Sequence, residues 1–301
     1  MRNIVVDKNK EICAVVVTYN RKALLQECLE ALKKNKGVSN IVVINNNSTD
    51  GTKEYLDTLD SNFYIIENSS ENLGGAGGFS LGMELAYKKT TADYFWIMDD
   101  DTIPTIKASQ FLLEKAAILN DQFGFLCSNV RWKDSSACNI PMVAKNWPEL
   151  IQSGLISVTQ GTFVSILVSR ESVKKYGVPT KELFIWGDDT EYTVRLTQKL
   201  DSYFVSDSIV EHKTTNNLIG ISIKNDSDTR ISRYYYLYRN LIFISKKYKG
   251  KKSTIKLFIH YIIYALSVLF TSKNKNWRRT FVVLKGIFAG ITFNPKVKYV
   301  K

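Results

Sequence analysis

The strongest constraint on this chain is an alternation, within its first hundred residues, between short β-branched runs and segments of helical period. Ile12 to Val17 is a continuous apolar run, the pattern of a strand buried on both faces. Arg21 to Lys34 follows, with Leu24, Leu25, Cys28, Leu29 and Leu32 at helical spacing. Ile41 to Ile44, Phe63 to Ile66 and Tyr94 to Met98 are further strand-like runs. Between them the pattern predicts a helix capped by Ser48, Thr49 or Asp50, a glycine-rich loop from Glu71 to Gly78, and a helix from Phe79 to Lys89. A β-α-β-α order of this kind predicts an α/β fold with an open, mostly parallel sheet flanked by helices. Ligands of such sheets sit beyond the C-terminal strand ends, where Thr18, Asn45 and Asp99 all fall.

Further along, Ser165 to Ser169 reads as a strand, Phe184 to Arg195 as an acidic cluster leading into a helix, and Ile209 to His212 as a short strand. From Arg230 the character changes to long, aromatic, basic helices. The expected organisation is a main domain over residues 1–225 and a helical region over 226–301.

Charge follows this division. The formal net charge is +12, and the run Lys246 to Lys252 (KKYKGKK) places much of the basic surface in the C-terminal part. Nucleic acid, anionic lipid and a phosphorylated substrate are the partner classes this admits. The aromatic-basic stretch RYYYLYRNLIFISKKYKGKK suits either base stacking or an interfacial helix, and a buried bundle is the bland alternative. Two apolar stretches, Leu257 to Phe270 and Phe281 to Phe293, follow it and favour the membrane surface; both are read as too short to span one. The N-terminal MRNIVVDKNK is too short in its apolar part for a signal peptide. Cys13, Cys28, Cys127 and Cys138 show no CxxC spacing, which argues against a disulfide framework or a zinc site and for a reducing compartment.

Three clusters carry chemistry. Asp99-Asp100-Asp101 follows a strand directly, and alternation places Asp99 and Asp101 on one side. Carboxylates so placed repel unless a cation lies between them, and oxygen ligands suit Mg²⁺ or Mn²⁺; a solvated acidic turn is the plainer alternative. Trp186-Gly187-Asp188-Asp189-Thr190-Glu191 offers a carboxylate as general base, or simply acids suited to a helix N-terminus, with Asp188 capping and Asp189 turned into a site. His212, one of two histidines, suits a metal alongside carboxylates or a structural place; His260 reads as an interfacial or core residue. Gly74, Gly75, Gly77 and Gly78 lack both the GxGxxG pattern and a P-loop lysine, so they admit a phosphate or sugar loop or a plain turn.

Taken together, VVVTYNR, INNNSTDGT, the DDD strand end and WGDDTEY with a downstream histidine resemble the inverting glycosyltransferases of family 2, over residues 10 to 240. NLGGAGGF, MDDD and WGDDTEY look most like the bacterial galactofuranosyltransferases, with the dTDP-rhamnose transferases as near relatives. The resemblance implies a GT-A fold, a Rossmann-like sheet with a C-terminal membrane-associating region. It implies a nucleotide loop at Thr18, Tyr19 and Asn20, with Gly74 and Gly75 also on the donor side. Asn45 stands where the family usually has an aspartate contacting the base; its amide oxygen can still accept from a uracil or thymine N–H but carries no charge. Asp99, Asp101 and His212 match metal positions, Asp100 lies nearer the ribose and diphosphate, and Trp186 walls the sugar or acceptor pocket. Asp189 matches the catalytic base, with Asp188 beside it.

The implied activity is single displacement with inversion, using Mn²⁺ or Mg²⁺. The donor is UDP-galactofuranose, or dTDP-rhamnose as the alternative, and the acceptor is a glycan or glycolipid of the cell surface. The expected place is the cytoplasmic face of the membrane, held peripherally by the C-terminal helices; the scheme also admits a homo-oligomer. A nucleic-acid binder gains nothing from acids lining its main cleft. A nucleotidyltransferase is not expected to carry WGDDTEY.

Overall fold

The structure, a computed structural model, describes residues 10–214 and 222–301. The N-terminal stretch read against a signal peptide lies almost wholly outside the described residues.

The first half alternates as the apolar runs require. β1 (Ile12–Thr18), α1 (Lys22–Lys33), β2 (Val38–Asn45), α2 (Thr52–Leu56), β3 (Tyr64–Asn68), α3 (Gly74–Lys89) and β4 (Tyr94–Asp99) follow in order. Next come β5 (Thr102–Pro104), α4 (Ala108–Ile118), β6 (Leu126–Trp132), β7 (Met142–Val143), β8 (Leu155–Gln160), β9 (Ile166–Ser169) and α5 (Arg170–Tyr176). α6 (Asp188–Thr197), β10 (Ser202–His212), α7 (Tyr234–Ile244), α8 (Gly250–Thr271) and α9 (Asn276–Thr292) complete the chain.

One sheet runs in the order β3-β2-β1-β4-β9-β6-β10-β8-β7, with β5 beside β10. The β1–β2, β2–β3 and β1–β4 pairs are parallel, and so is β6–β10. β9 runs antiparallel to β4 and β6, so the sheet is mixed, with its parallel block at the N-terminal end. β1 explains its own composition: Ile12, Ala14 and Val16 pack with Leu25, Leu29 and Leu112 on one face. Cys13, Val15 and Val17 pack with Phe79 and Met83 on the other. A strand covered on both sides must be apolar throughout.

Two local expectations change. The glycine-rich loop is the opening of α3, whose helix starts at Gly74. A Cβ on Gly78 would stand 2.6 Å from Val17 Cγ1, and one on Gly82 would stand 2.6 Å from Val15 Cγ1. These glycines let the helix lie directly on β1, which outweighs their poor helix propensity. The cap of α2 is Gly51 at φ 81°, with the Asp50 carboxylate accepting from the Thr52 N–H two residues on.

The C-terminal helices pack on one another through Tyr234, Tyr238, Ile242, Ala265, Val283 and Ile287. The tail beyond α9 returns to the main core: Val178 donates its N–H to the Lys298 carbonyl, and Val300 is buried beside α5. The apolar stretch read as too short to span a bilayer lies within a longer helical run. α8 covers 22 residues, and the run Ile231–Thr271 is long and apolar enough to cross a membrane by length and composition. Gly250 to Lys256 lengthen the helix on the N-terminal side of Leu257 to Phe270, where the polar residues gave no apolar signal.

Candidate functional site

The C-terminal end of β4 delivers Asp99, and the turn into β5 carries Asp100 and Asp101. β10 ends on His212, and its pairing with β5 sets His212 opposite Thr102. The short strand read at residues 209 to 212 is thus the end of an eleven-residue strand. His212 Nε2 lies 3.1 Å from Asp101 Oδ1, and ligand atoms of Asp99, Asp101 and His212 all fall within 4.8 Å of one another.

Arg21, which sequence reasoning left without a role, bridges the triplet. Its Nη1 donates to Asp101 Oδ2 at 2.6 Å and to Asp100 Oδ1 at 3.1 Å. Thr18 donates its hydroxyl to Asp100 Oδ2 at 2.7 Å. Asn139, also missed, faces His212 Nδ1 through its Oδ1 at 2.9 Å. An amide oxygen can only accept, so Nδ1 carries a proton; Nε2 donates to Asp101, which holds the imidazole above its ordinary value against the effect of burial, and an ion between them would take the place of that second proton.

Burial, and then the charge of Asp101, pushes the Asp99 carboxyl up to about 7. Burial pushes Asp100 up to about 6. Burial works in the same direction on Asp101, but the hydrogen bond and charge of His212, with Arg21, outweigh it and hold that carboxyl below its ordinary value. A carboxyl held near neutrality beside other acids is relieved by a cation, so the site fits a divalent ion. Two carboxylates with one imidazole suit Mn²⁺ better than Mg²⁺, which prefers all-oxygen shells.

The same cavity, of about 540 Å³, is lined by Asp99, Asp101, His212 and Gly75 and also by Trp186, Asp188 and Asp189. Gly187, at φ 89°, is the N-cap of α6, so Asp188 is the first residue of the helix and not the cap expected of it. Asp189 Oδ1 accepts the Thr190 N–H at 2.6 Å. Burial, then the charge of Asp189, lifts Asp188 well above the ordinary aspartate value. Burial also raises Asp189, with the Thr190 hydrogen bonds opposing.

Gly75 borders Asp188, since a Cβ there would stand 3.5 Å from Asp188 Oδ2. Gly74, at φ 69°, lies against the Phe184 carbonyl, where a Cβ would meet the oxygen at 2.1 Å. Tyr19 stands 47% exposed on the strand-end loop. Asn20 is exposed as well, and its Oδ1 accepts the Thr49 N–H at 2.7 Å. Asn45 is buried, and its amide is engaged at both ends: Nδ2 donates to Asn68 Oδ1 at 2.8 Å and Oδ1 accepts the Ser48 N–H at 3.1 Å. Of the residues expected on the donor side, Gly75, Asp99 and Trp186 line the cavity, and Thr18, Tyr19, Asn20, Asn45, Gly74 and Asp100 do not. Arg230 and Arg233, from the turn before α7, do line it, and the Arg230 guanidinium stands 5.5 Å over the Trp186 ring. No spacing rule singles out Arg21, Asn139 or these arginines; the only signal was the position of Arg21 within VVVTYNR.

A sheet ending in an acid triplet and a histidine is the GT-A type of α/β fold, and solved structures share it. The structure of GalNAc-T7 with UDP, GalNAc and Mn²⁺ superposes with a TM-score of 0.64 at 14% identity, covering 91% of this chain and 54% of that one. That of S. aureus TarS 1–349 in complex with UDP gives 0.53 at 13% identity, over 94% and 72%.

The chain belongs to glycosyl transferase family 2, whose profile matches residues 13–177. Galactofuranosyltransferase GlfT1 of Mycolicibacterium smegmatis is 28% identical over 204 residues, 62% of this chain and 65% of the relative. Abequosyltransferase RfbV of Salmonella typhimurium is 34% identical over 92 residues, 29% of this chain and 26% of the relative. The chain thus spans less than two thirds of the length of these curated relatives.

Proposed function

We propose that the protein is a divalent-metal-dependent, inverting glycosyltransferase that moves galactofuranose from UDP-galactofuranose to a hydroxyl of a lipid-linked cell-surface glycan. The observation that carries this reading is one cavity lined by two acid groups, Asp99 and Asp101 with His212, and Asp188 with Asp189. The similarity to a galactofuranosyltransferase supports the donor.

Asp99, Asp101 and His212 would hold the ion, with Asn139 fixing the histidine tautomer. When bound, the ion supplies Lewis-acid stabilisation to the departing diphosphate. Asp189 takes the proton of the acceptor hydroxyl as its oxygen attacks the anomeric carbon; the bond from that carbon to the diphosphate oxygen breaks, and the nucleoside diphosphate leaves with the electron pair. Asp189 Oδ2 is the oxygen for this task, since Oδ1 is engaged by Thr190. Asp188 lies beside the base, and burial raises both carboxyls above the ordinary aspartate range. Trp186 walls the sugar side, with Thr18, Tyr19, Asn20, Gly74, Gly75 and Asp100 framing the donor loops.

The C-terminal helices serve as a membrane contact at the cytoplasmic face. α8 exposes Ile255, Ile259, Ile263, Leu266 and Phe270, and α9 exposes Trp277, Phe281, Phe288 and Ile291. Lys251, Lys252 and Lys256 are exposed beside this apolar face, the arrangement of an interfacial helix on anionic lipid. Part of the basic run has other duties: Lys246 donates to the Ile291 and Phe293 carbonyls at the end of α9.

A dTDP-rhamnose donor is the second reading, because the acid triplet and WGDDTEY are also the pattern of the rhamnose transferases this sequence resembles. The test is consumption of UDP-galactofuranose, UDP-galactopyranose, dTDP-rhamnose and UDP-glucose by purified protein with Mn²⁺ or Mg²⁺. UDP-galactofuranose alone supports the first donor and dTDP-rhamnose alone the second. Loss of both binding and turnover across the panel refutes the enzymatic reading.

A further inference from the structure

The segment that delivers Trp186, Asp188 and Asp189 is bent in a way its residues do not favour. Phe184 has φ 65° and ψ −65°, and Ile185 donates its N–H to the Leu183 carbonyl at 2.8 Å, closing a γ-turn of the rare positive-φ kind. Trp186 follows at φ 59° and Gly187 at φ 89°. Two bulky aromatic residues in this half of φ space need outside support.

That support comes from α7. Asn240 is completely buried. Its Nδ2 donates to the carbonyls of Trp186 at 2.6 Å, Leu183 at 2.9 Å and Ile185 at 3.3 Å. Three carbonyls can only accept, so the amide nitrogen must face them, and Oδ1 accepts Arg239 Nε at 3.0 Å. Arg239 Nη2 adds bonds to the carbonyls of Glu182 at 2.8 Å and Leu183 at 3.2 Å. From α3, Ala76 donates its N–H to the Phe184 carbonyl at 3.1 Å. Every carbonyl from residue 182 to 186 is thereby held, mostly by a helix more than fifty positions away in sequence.

We propose that Asn240 is a positioning residue for the segment bearing the base. It fixes the strained turn so that Asp189 faces the cavity, which makes α7 part of the reaction centre, not a detachable membrane attachment. The proposal rests on the reading of Asp189 as base. No atom of Asn240 touches the metal group, so donor binding and proton transfer are separable through it.

The test compares Asn240→Leu, which keeps the bulk and removes both donors, with Asn240→Ser, which is smaller and keeps one. Transfer rate, Mn²⁺-dependent UDP affinity and amide hydrogen exchange of residues 183–190 are measured on the full chain. A displacement of about 1 Å at a reacting group costs roughly a hundredfold in rate. The expected result is a fall in kcat of that order for Asn240→Leu and a smaller fall for Asn240→Ser. UDP affinity stays within about twofold, and exchange is faster only in the segment. A folded variant with wild-type kcat and wild-type exchange overturns the proposal, and so does an equal loss of UDP affinity. Should the leucine variant not fold, the serine variant decides by the same criteria. If wild-type protein neither binds UDP nor transfers sugar, the functional reading fails on its own, and the exchange measurement still tests the clamp.

Discussion

His212 Nε2 stands 3.1 Å from Asp101 Oδ1 although 111 positions separate the two residues. β5 makes this contact possible: it leaves the acid triplet and pairs antiparallel with β10, carrying the histidine back over the end of β4. With Asn139 on the other ring nitrogen, the imidazole is orientated from both sides.

Removing that second support tests the metal site without touching a ligand. Asn139→Ala is expected to weaken Mn²⁺ affinity about 10- to 100-fold, the usual cost of losing a partner of a metal-bound histidine. Calorimetric titration of Mn²⁺ into the variant is the measurement, and unchanged affinity would count against His212 as a ligand.

The base assignment has a kinetic signature. Asp189→Asn keeps the shape and the acceptor at Oδ1 but cannot take a proton; transfer should fall roughly a hundred- to ten-thousand-fold with UDP affinity retained. Near-normal transfer by this variant removes Asp189 from the mechanism.

The pH profile follows from the sign of the shift. A base works ionised, and burial raises the Asp189 value in the folded protein. Activity is therefore lost as pH falls through a point above the ordinary aspartate value of about 3.9. The acid limb of kcat/KM, measured with saturating Mn²⁺, should lie above that value; a profile flat down to about pH 4 contradicts the environment described for Asp189.

Much of the first half was legible because strands covered on both faces must be apolar throughout, and β1, β2 and β4 read as such runs. The acid triplet, WGDDTEY and His212 were legible as an acid run ending an apolar strand, a second acid run opening a helix, and one of only two histidines. The start of α3 was not: glycine is a poor helix former, and only the contact with Val15 and Val17 shows why it is there. Arg21, Asn139 and Asn240 were hidden for a different reason. Their partners lie 79, 73 and 54 to 57 positions away, and no periodicity within one element encodes such pairings.

The close approach of α3 to β1 carries its own stability prediction. Gly78→Ala places a Cβ 2.6 Å from Val17 Cγ1, inside contact distance. The overpacking should cost about 1 to 3 kcal/mol, read as a lower midpoint in denaturant. A midpoint equal to wild type would mean that the helix can retreat without loss.

Membrane contact through α9 is tested by Phe281→Ser, whose parent side chain is 64% exposed and outside the cavity. Loss of one buried phenylalanine corresponds to about 2 kcal/mol, or roughly 30-fold in vesicle affinity. Co-sedimentation with anionic vesicles should show this loss while donor consumption in solution is unchanged; equal binding by both proteins contradicts the membrane role of this face.

The Asp99, Asp101 and His212 group is proposed to bind a nucleoside diphosphate through a divalent ion. The most direct measurement is calorimetric titration of UDP into wild-type protein and Asp101→Asn, each with Mn²⁺ and with chelator. Tight binding is expected only for wild type with Mn²⁺. Binding of equal strength in chelator, or in Asp101→Asn with Mn²⁺, would contradict it.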